Sequence, residues 1–260
     1  TPLLRQNSEL RKDRIWNWTL PAFVTQLPDG RNVNVCPEAG ACAKLCYALN
    51  GTYRFPNVKA AHQRNLLATL DHLEEWTAEM LAELSARKFR PTGERRMPDF
   101  DHSHLSRTVQ RLLDDGGAAV RIHDAGDFYS DDYLLAWCTI AANTPDVLFY
   151  AYTKELTRFR RIIADYGIPD NFLWVYSLGG KQDHLLDRDN ERHAEVYPSA
   201  EALEAAGAYD QEENDLLCVL APSHRIGIVA NNIPAFRKKQ GDRTFGDIES
   251  TTRRHGRTAS

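Results

Sequence analysis

The stretch VRIHDAGDFYSDDYLLAWCTIAANTPDVLFYAYTK, residues 120–154, decides the fold. It opens on the end of an apolar run, AAVRIHD (118–124), breaks at a polar turn with one glycine, and continues as a helix over 131–144. It closes on a second apolar run, DVLFYAYT (146–153). Runs without polar alternation are strands buried on both faces, and a helix between two of them means a parallel sheet covered by helices. The rhythm continues downstream, with a helix over 155–167, a strand over 172–178, and a charged stretch from Lys181 to Asn214 holding a helix at 199–206. Two more strands are expected at 215–221 and 225–231. Upstream, NWTLPAFVT (17–25) reads as a short strand interrupted by Pro21. Residues 57–88 read as a long amphipathic helix, N-capped by Asn57 and broken near Asp71. The expected fold class is α/β: an open partial (β/α) barrel of parallel strands, preceded by a cysteine-bearing loop. Residues 1–16 are expected as a flexible arm, 17–236 as a single domain and 237–260 as a basic tail.

In parallel α/β folds the chemistry sits outside the carboxyl ends of the strands, so the turns after 118–124, 146–153, 172–178 and 225–231 should share one face. The first turn holds His123, Asp124, Gly126 and Asp127; Lys154, Ser177 and Asn231 lie at the later ones. Asp131 and Asp132 are expected to cap the next helix, with Ser130 as a rival cap.

The 260 residues carry a net charge of −4, so nothing global points to nucleic acid or an acidic membrane. No apolar run approaches the ~18 residues of a membrane-spanning helix. The expected setting is cytoplasmic. The end of the chain departs from the average: Arg237 to Arg257 holds seven Lys/Arg against three Asp/Glu, a solvated tail or a contact for nucleic-acid phosphate.

Three of the five cysteines fall in CPEAGACAKLC, residues 36–46, with spacing Cys-x5-Cys-x3-Cys. An odd and clustered count is unlike a disulfide framework and suits a metal or cluster site. Two chemistries compete for Cys36, Cys42 and Cys46. Zinc needs four ligands, so His62 or Cys218 would have to join. A [4Fe–4S] cluster on three thiolates leaves one iron open to a small molecule. Cys138, beside Trp137 on a helix, reads as a core thiol.

The segments CPEAGACAKLCYALNGTYRFPNVKAAHQRNL and VRIHDAGDFYSDDYLLAWCTIAANTPDVLFYAYTK resemble the gene product 88 family of phages and their actinobacterial hosts, over most of residues 17–180. A phage-encoded protein would work in the bacterial host cytoplasm. In layout, a three-cysteine loop ahead of a (β/α) series also resembles the radical S-adenosylmethionine superfamily. The spacing departs from the Cys-x3-Cys-x2-Cys of that superfamily, and Tyr47 follows the third cysteine where an aromatic residue normally precedes it. That layout implies S-adenosylmethionine chelated at the open iron and an external electron donor. It further implies Gly126 and Asp127 near the methionine amine; His123 is a further cofactor-site candidate, and by their place at later strand ends Lys154, Ser177 and Asn231 are candidates to meet the carboxylate or ribose. Two other readings stand beside it. One is a non-enzymatic nucleic-acid-binding or regulatory protein with a structural zinc or cluster. The other is a metal-dependent nuclease using Asp124, Asp127 and a histidine.

Overall fold

The computed structural model describes residues 2–258 apart from 94, 96 and 232, and for 255–258 the backbone alone. The centre is a seven-stranded sheet built from β1 (Ile15–Trp18), β4 (Ala118–Ile122), β5 (Val147–Thr153), β6 (Phe172–Ser177), β7 (His193–Tyr197), β9 (Arg225–Val229) and β8 (Tyr209–Asp210), in that order. Every ladder in it is parallel. β1 and β8 are its two edges and do not pair with each other. A small antiparallel hairpin, β2 (Val24–Gln26) with β3 (Asn32–Asn34), leads from β1 into the cysteine loop.

Side-chain alternation divides the core. Val120 and Ile122 of β4 and Phe149 and Ala151 of β5 face the helices, where Trp18, Trp76, Trp137, Phe128 and Phe159 pack an aromatic layer. Ala119, Leu148, Tyr150, Val175, Ala194 and Ile226 face the other way and pack with Val109, Leu112 and Leu113 of the helix Arg107–Asp114 and with the helix Leu217–Leu220. Burial on both faces is the reason these strands read as continuous apolar runs.

Several expectations change. Leu217–Leu220 is a helix, not a strand over 215–221; a short run buried all round has no period to separate the two. β7 and β8 lie inside the stretch expected to be charged and largely irregular. The long helix is two, Pro56–Asp71 and Leu73–Leu84, with the break where it was expected. Its first residue is Pro56, at the position where a missing N–H costs nothing, so Asn57 is not the cap. Ser130 caps the helix Asp131–Ala142 by accepting from Tyr133 N, while Asp131 pairs with Arg158 and Arg161.

Neither end behaves as a loose arm. Leu4, Leu10 and Ile15 are buried, and Arg5 bridges to Asn17 beside β1. The C-terminal stretch forms the helices Pro234–Gln240 and Phe245–Thr258. Residues 259–260 of the expected tail, like Thr1 of the expected arm, lie outside the described residues.

Candidate functional site

The cysteine loop is fixed at the carboxyl edge of the sheet by backbone contacts. The Gly179 carbonyl, just past β6, accepts from Gly40 N at 3.2 Å and Cys42 N at 3.0 Å. Gly179 has φ of +94°, and a Cβ there would stand 3.1 Å from Phe245 and 3.4 Å from Cys42, so only glycine fits comfortably. Lys181 N donates to Glu38 O and its ammonium to Pro37 O. From the C-terminal helix, Glu249 Oε2 accepts from Ala41 N at 2.6 Å.

These contacts close a cavity of about 1000 Å³. Its wall includes Cys36, Cys42 and Cys46 together with His123, Gly126, Asp127, Lys154, Ser177 and Asn231. All nine positions singled out in the sequence for the cofactor and cluster therefore meet at one place, because parallel strands deliver their carboxyl ends to one side. His62 and Cys218 are not on that wall. His62 stacks against Tyr53 at 5.7 Å, and Cys218 is fully buried in the core under the sheet.

Meeting at the cavity does not give each residue its expected job. The carboxylate of Asp127 already accepts three hydrogen bonds from the protein: Oδ1 accepts from Phe128 N at 2.8 Å and Thr153 Oγ1 at 2.7 Å, and Oδ2 from Lys154 N at 2.8 Å. Its own N–H donates to Val35 O. Asp127 thus ties the turn after β4 to the end of β5 and to the entry of the cysteine loop. It is not the open acceptor for an ammonium that the sequence suggested. Burial, opposed by these donors, raises its pKa. The Lys154 ammonium is likewise held, by Ser177 O at 3.0 Å, Ser177 Oγ at 2.8 Å and Leu178 O at 3.0 Å. Gly126 adopts φ of +91°, and a Cβ there would fall 2.7 Å from Leu20 Cβ; its small size serves the close passage of its own chain. Asn231 Oδ1 accepts from Ile233 N in a local turn.

His123 sits at φ +73° and is 4% exposed, with its ring 4.6 Å from Phe128 and Nε2 2.9 Å from the Tyr133 hydroxyl. Burial, aided by Arg121, depresses its pKa to about 3, so the imidazole is neutral.

The thiols are all free and half-buried. Burial, and then the neighbouring Cys42, push Cys46 up to about 11; burial and then Asp127 push Cys36 well up. Among the described residues, no three His, Cys, Asp or Glu side chains gather tightly enough to hold a single metal ion.

A second polar group on the same wall was not singled out from the sequence. Arg121 Nη1 lies 3.3 Å from Asp215 and 4.0 Å from Asp124, and its guanidinium covers the Tyr152 ring at 5.2 Å. The Tyr53 hydroxyl donates to the Asp124 carboxylate and the Tyr47 hydroxyl to the Asp124 main-chain carbonyl, and Tyr150 and Tyr152 donate to the Asp215 carboxylate. Arg121 Nε has no partner. The sequence does carry a signal for this group: one arginine inside an apolar strand, and one aspartate at the head of the apolar run DLLCVLA.

The profile of the family described as Gene product 88 matches residues 1–258. Two similar proteins are the Gene 88 proteins of Mycobacterium phages L5 and D29, each 31% identical over 134 residues, which is 50% of this chain and 47% of the relative. The match thus spans about half the length of those curated relatives. No solved structure matches the chain. No helix among the described residues is long and apolar enough to cross a membrane.

Proposed function

The chain belongs to the gene product 88 family, and from that premise we propose that it is an iron–sulfur enzyme of the radical S-adenosylmethionine type. In this reading a [4Fe–4S] cluster is held by Cys36, Cys42 and Cys46. The observation that carries the reading is the placement of the three thiols. They follow the first sheet strand, stand at the carboxyl edge of an all-parallel sheet, and share a cavity with the ends of β4, β5, β6 and β9.

The donor set supports a cluster. Three thiolates without His62 or Cys218 leave one coordination position for a small molecule, whereas a closed structural site would recruit a fourth protein ligand. When bound, the cluster would supply one electron to a cofactor chelated at its open iron, and S-adenosylmethionine is the cofactor this layout suits. The chain's own residues do the positioning. Gly179, Lys181 and Glu249 fix the loop backbone; Asp127 locks the β4 turn to β5; Lys154 holds the β6 end and places a positive charge near the thiols.

The nuclease reading weakens, because both oxygens of Asp127 accept from the protein and the Asp124 carboxylate is engaged by Tyr53 and Arg121. Anaerobic titration of reconstituted protein with S-adenosylmethionine, followed by calorimetry and the spectrum of the bound cluster, tests the cofactor half of the proposal. A spectral change on saturable binding supports it, and absence of binding to a full cluster refutes it.

A further inference from the structure

The stretch from Lys44 to Arg64 carries a surface that the cluster reading does not use. No Asp or Glu stands between Glu38 and Asp71, whereas Lys44, Arg54, Lys59 and Arg64 all fall there, in a chain whose net charge is −4. All four cations are exposed, and among the described residues none of them has an ion pair or a side-chain hydrogen bond. Elsewhere the chain pairs its cations: Arg31, Arg111, Arg158, Arg160 and Arg161 each meet a carboxylate. Two carboxylates that do touch this stretch, Asp124 and Glu249, are engaged by the Tyr53 hydroxyl and by Ala41 N–H.

Apolar side chains stand at the surface among these cations. Phe55 is 55% exposed, Leu49 43% and Tyr47 39%. A single exposed apolar residue is ordinary, but three within residues 47–55 form a patch. They lie on two short helical turns, Tyr47–Leu49 and Gly51–Arg54, and on the residue that follows. The Tyr47 and Tyr53 rings, 5.7 Å apart, join the two turns. Phe55 is the informative one. It occupies the N-cap of the helix Pro56–Asp71, where Ser, Thr, Asp or Asn would accept from a free N–H, and it makes no such bond. It neither caps nor buries itself, so folding gains little from it. Arg54 precedes it, and Lys59 lies one turn on, its N–H bound to the Phe55 carbonyl at 2.9 Å.

We propose that this surface binds single-stranded nucleic acid, with phosphates on Lys44, Arg54, Lys59 and Arg64 and a base stacked on Phe55. Charge alone would also suit a duplex or an acidic protein. An open ring among the cations favours a strand whose bases are free, because every base offers a face to stack on and a duplex hides it. The inference stands apart from the cluster reading, and it places the contact on residues 44–64, not on the basic stretch Arg237–Arg257.

Fluorescence anisotropy of a labelled oligothymidylate, titrated with the metal-free full-length chain over a salt series, tests it. Saturable binding is expected, with the logarithm of affinity falling by about 0.7 per phosphate neutralised for each tenfold rise in salt. Arg54→Gln/Lys59→Gln should weaken binding and make that slope shallower by about 1.4. Phe55→Ala should weaken binding about 5-fold or more and leave the slope unchanged. The variant Arg237→Gln/Lys238→Gln/Lys239→Gln should keep most of the affinity. No binding at low salt, preference for a duplex, or loss only in the Arg237–Lys239 variant would overturn the proposal. Equal binding of polyglutamate, with no effect of Phe55→Ala, would also overturn it and point to an acidic protein instead.

Discussion

Replacing Asp127 by asparagine distinguishes a structural tie from a ligand contact. The carboxylate accepts three hydrogen bonds from two neighbouring strand ends, and asparagine can accept at only one end of its amide. With the amide oxygen toward Phe128 N and Thr153 Oγ1, the NH2 group opposes Lys154 N–H, donor against donor. With the amide flipped, Phe128 N–H is opposed instead, and Thr153 Oγ1 already accepts from Glu155 N. Either way a charge-assisted bond worth about 1.5–3 kcal/mol is lost and a buried donor is left unpaired at about 1–3 kcal/mol. Relief from burying a charge offsets part of this, because burial is the first cause of the raised pKa of Asp127. The net expectation is a destabilisation of about 2–4 kcal/mol. Urea unfolding of the metal-free protein, followed by fluorescence of the buried Trp18, Trp76 and Trp137, measures it. A cycle with Thr153→Val should show coupling of about 0.5–3 kcal/mol. If Asp127→Asn unfolds at the wild-type midpoint yet no longer binds a ligand, the tie is refuted and Asp127 returns to the ligand role suggested by its place after Gly126.

His123 gives a pH signature. Unfolded, it takes a proton near pH 6.5; folded, it stays neutral until about 3, so stability falls as pH drops through that window, by up to about 1.4 kcal/mol per unit. His123→Gln should flatten the acid limb of the stability curve, and an unchanged slope would contradict the buried neutral imidazole. Glu249→Ala removes the acceptor of Ala41 N–H and should cost about 1 kcal/mol while speeding alkylation of Cys42. Unaltered alkylation would mean that the C-terminal helix does not brace the loop.

The alternation of apolar runs and helices from 118 to 178 was legible because those strands are buried on both faces. β7 was not, since His193 and Glu195 break its apolar pattern. Glu195 is nonetheless buried, accepting from Gly246 N beside Arg188, a partnership that only the folded C-terminal helix creates. The site positions followed from one rule about strand ends. Their side-chain duties did not, because Thr153 and Lys154, which donate to Asp127, and Ser177, which accepts from Lys154, lie more than twenty residues away and engage groups that look available in the sequence. Arg121 was visible as a lone charge in AAVRI, but its meaning depends on Asp215, 94 residues on.

The cluster itself is tested most directly by anaerobic reconstitution with iron and sulfide, with metal analysis and an absorption spectrum. Wild type is compared with Cys36→Ala, Cys42→Ala, Cys46→Ala and Cys138→Ala. The account predicts about four iron per chain and a broad band near ~400 nm in wild type and Cys138→Ala, lost with any one of the three loop cysteines. Full metal content in Cys42→Ala, or one zinc with a featureless spectrum in the wild type, would contradict it.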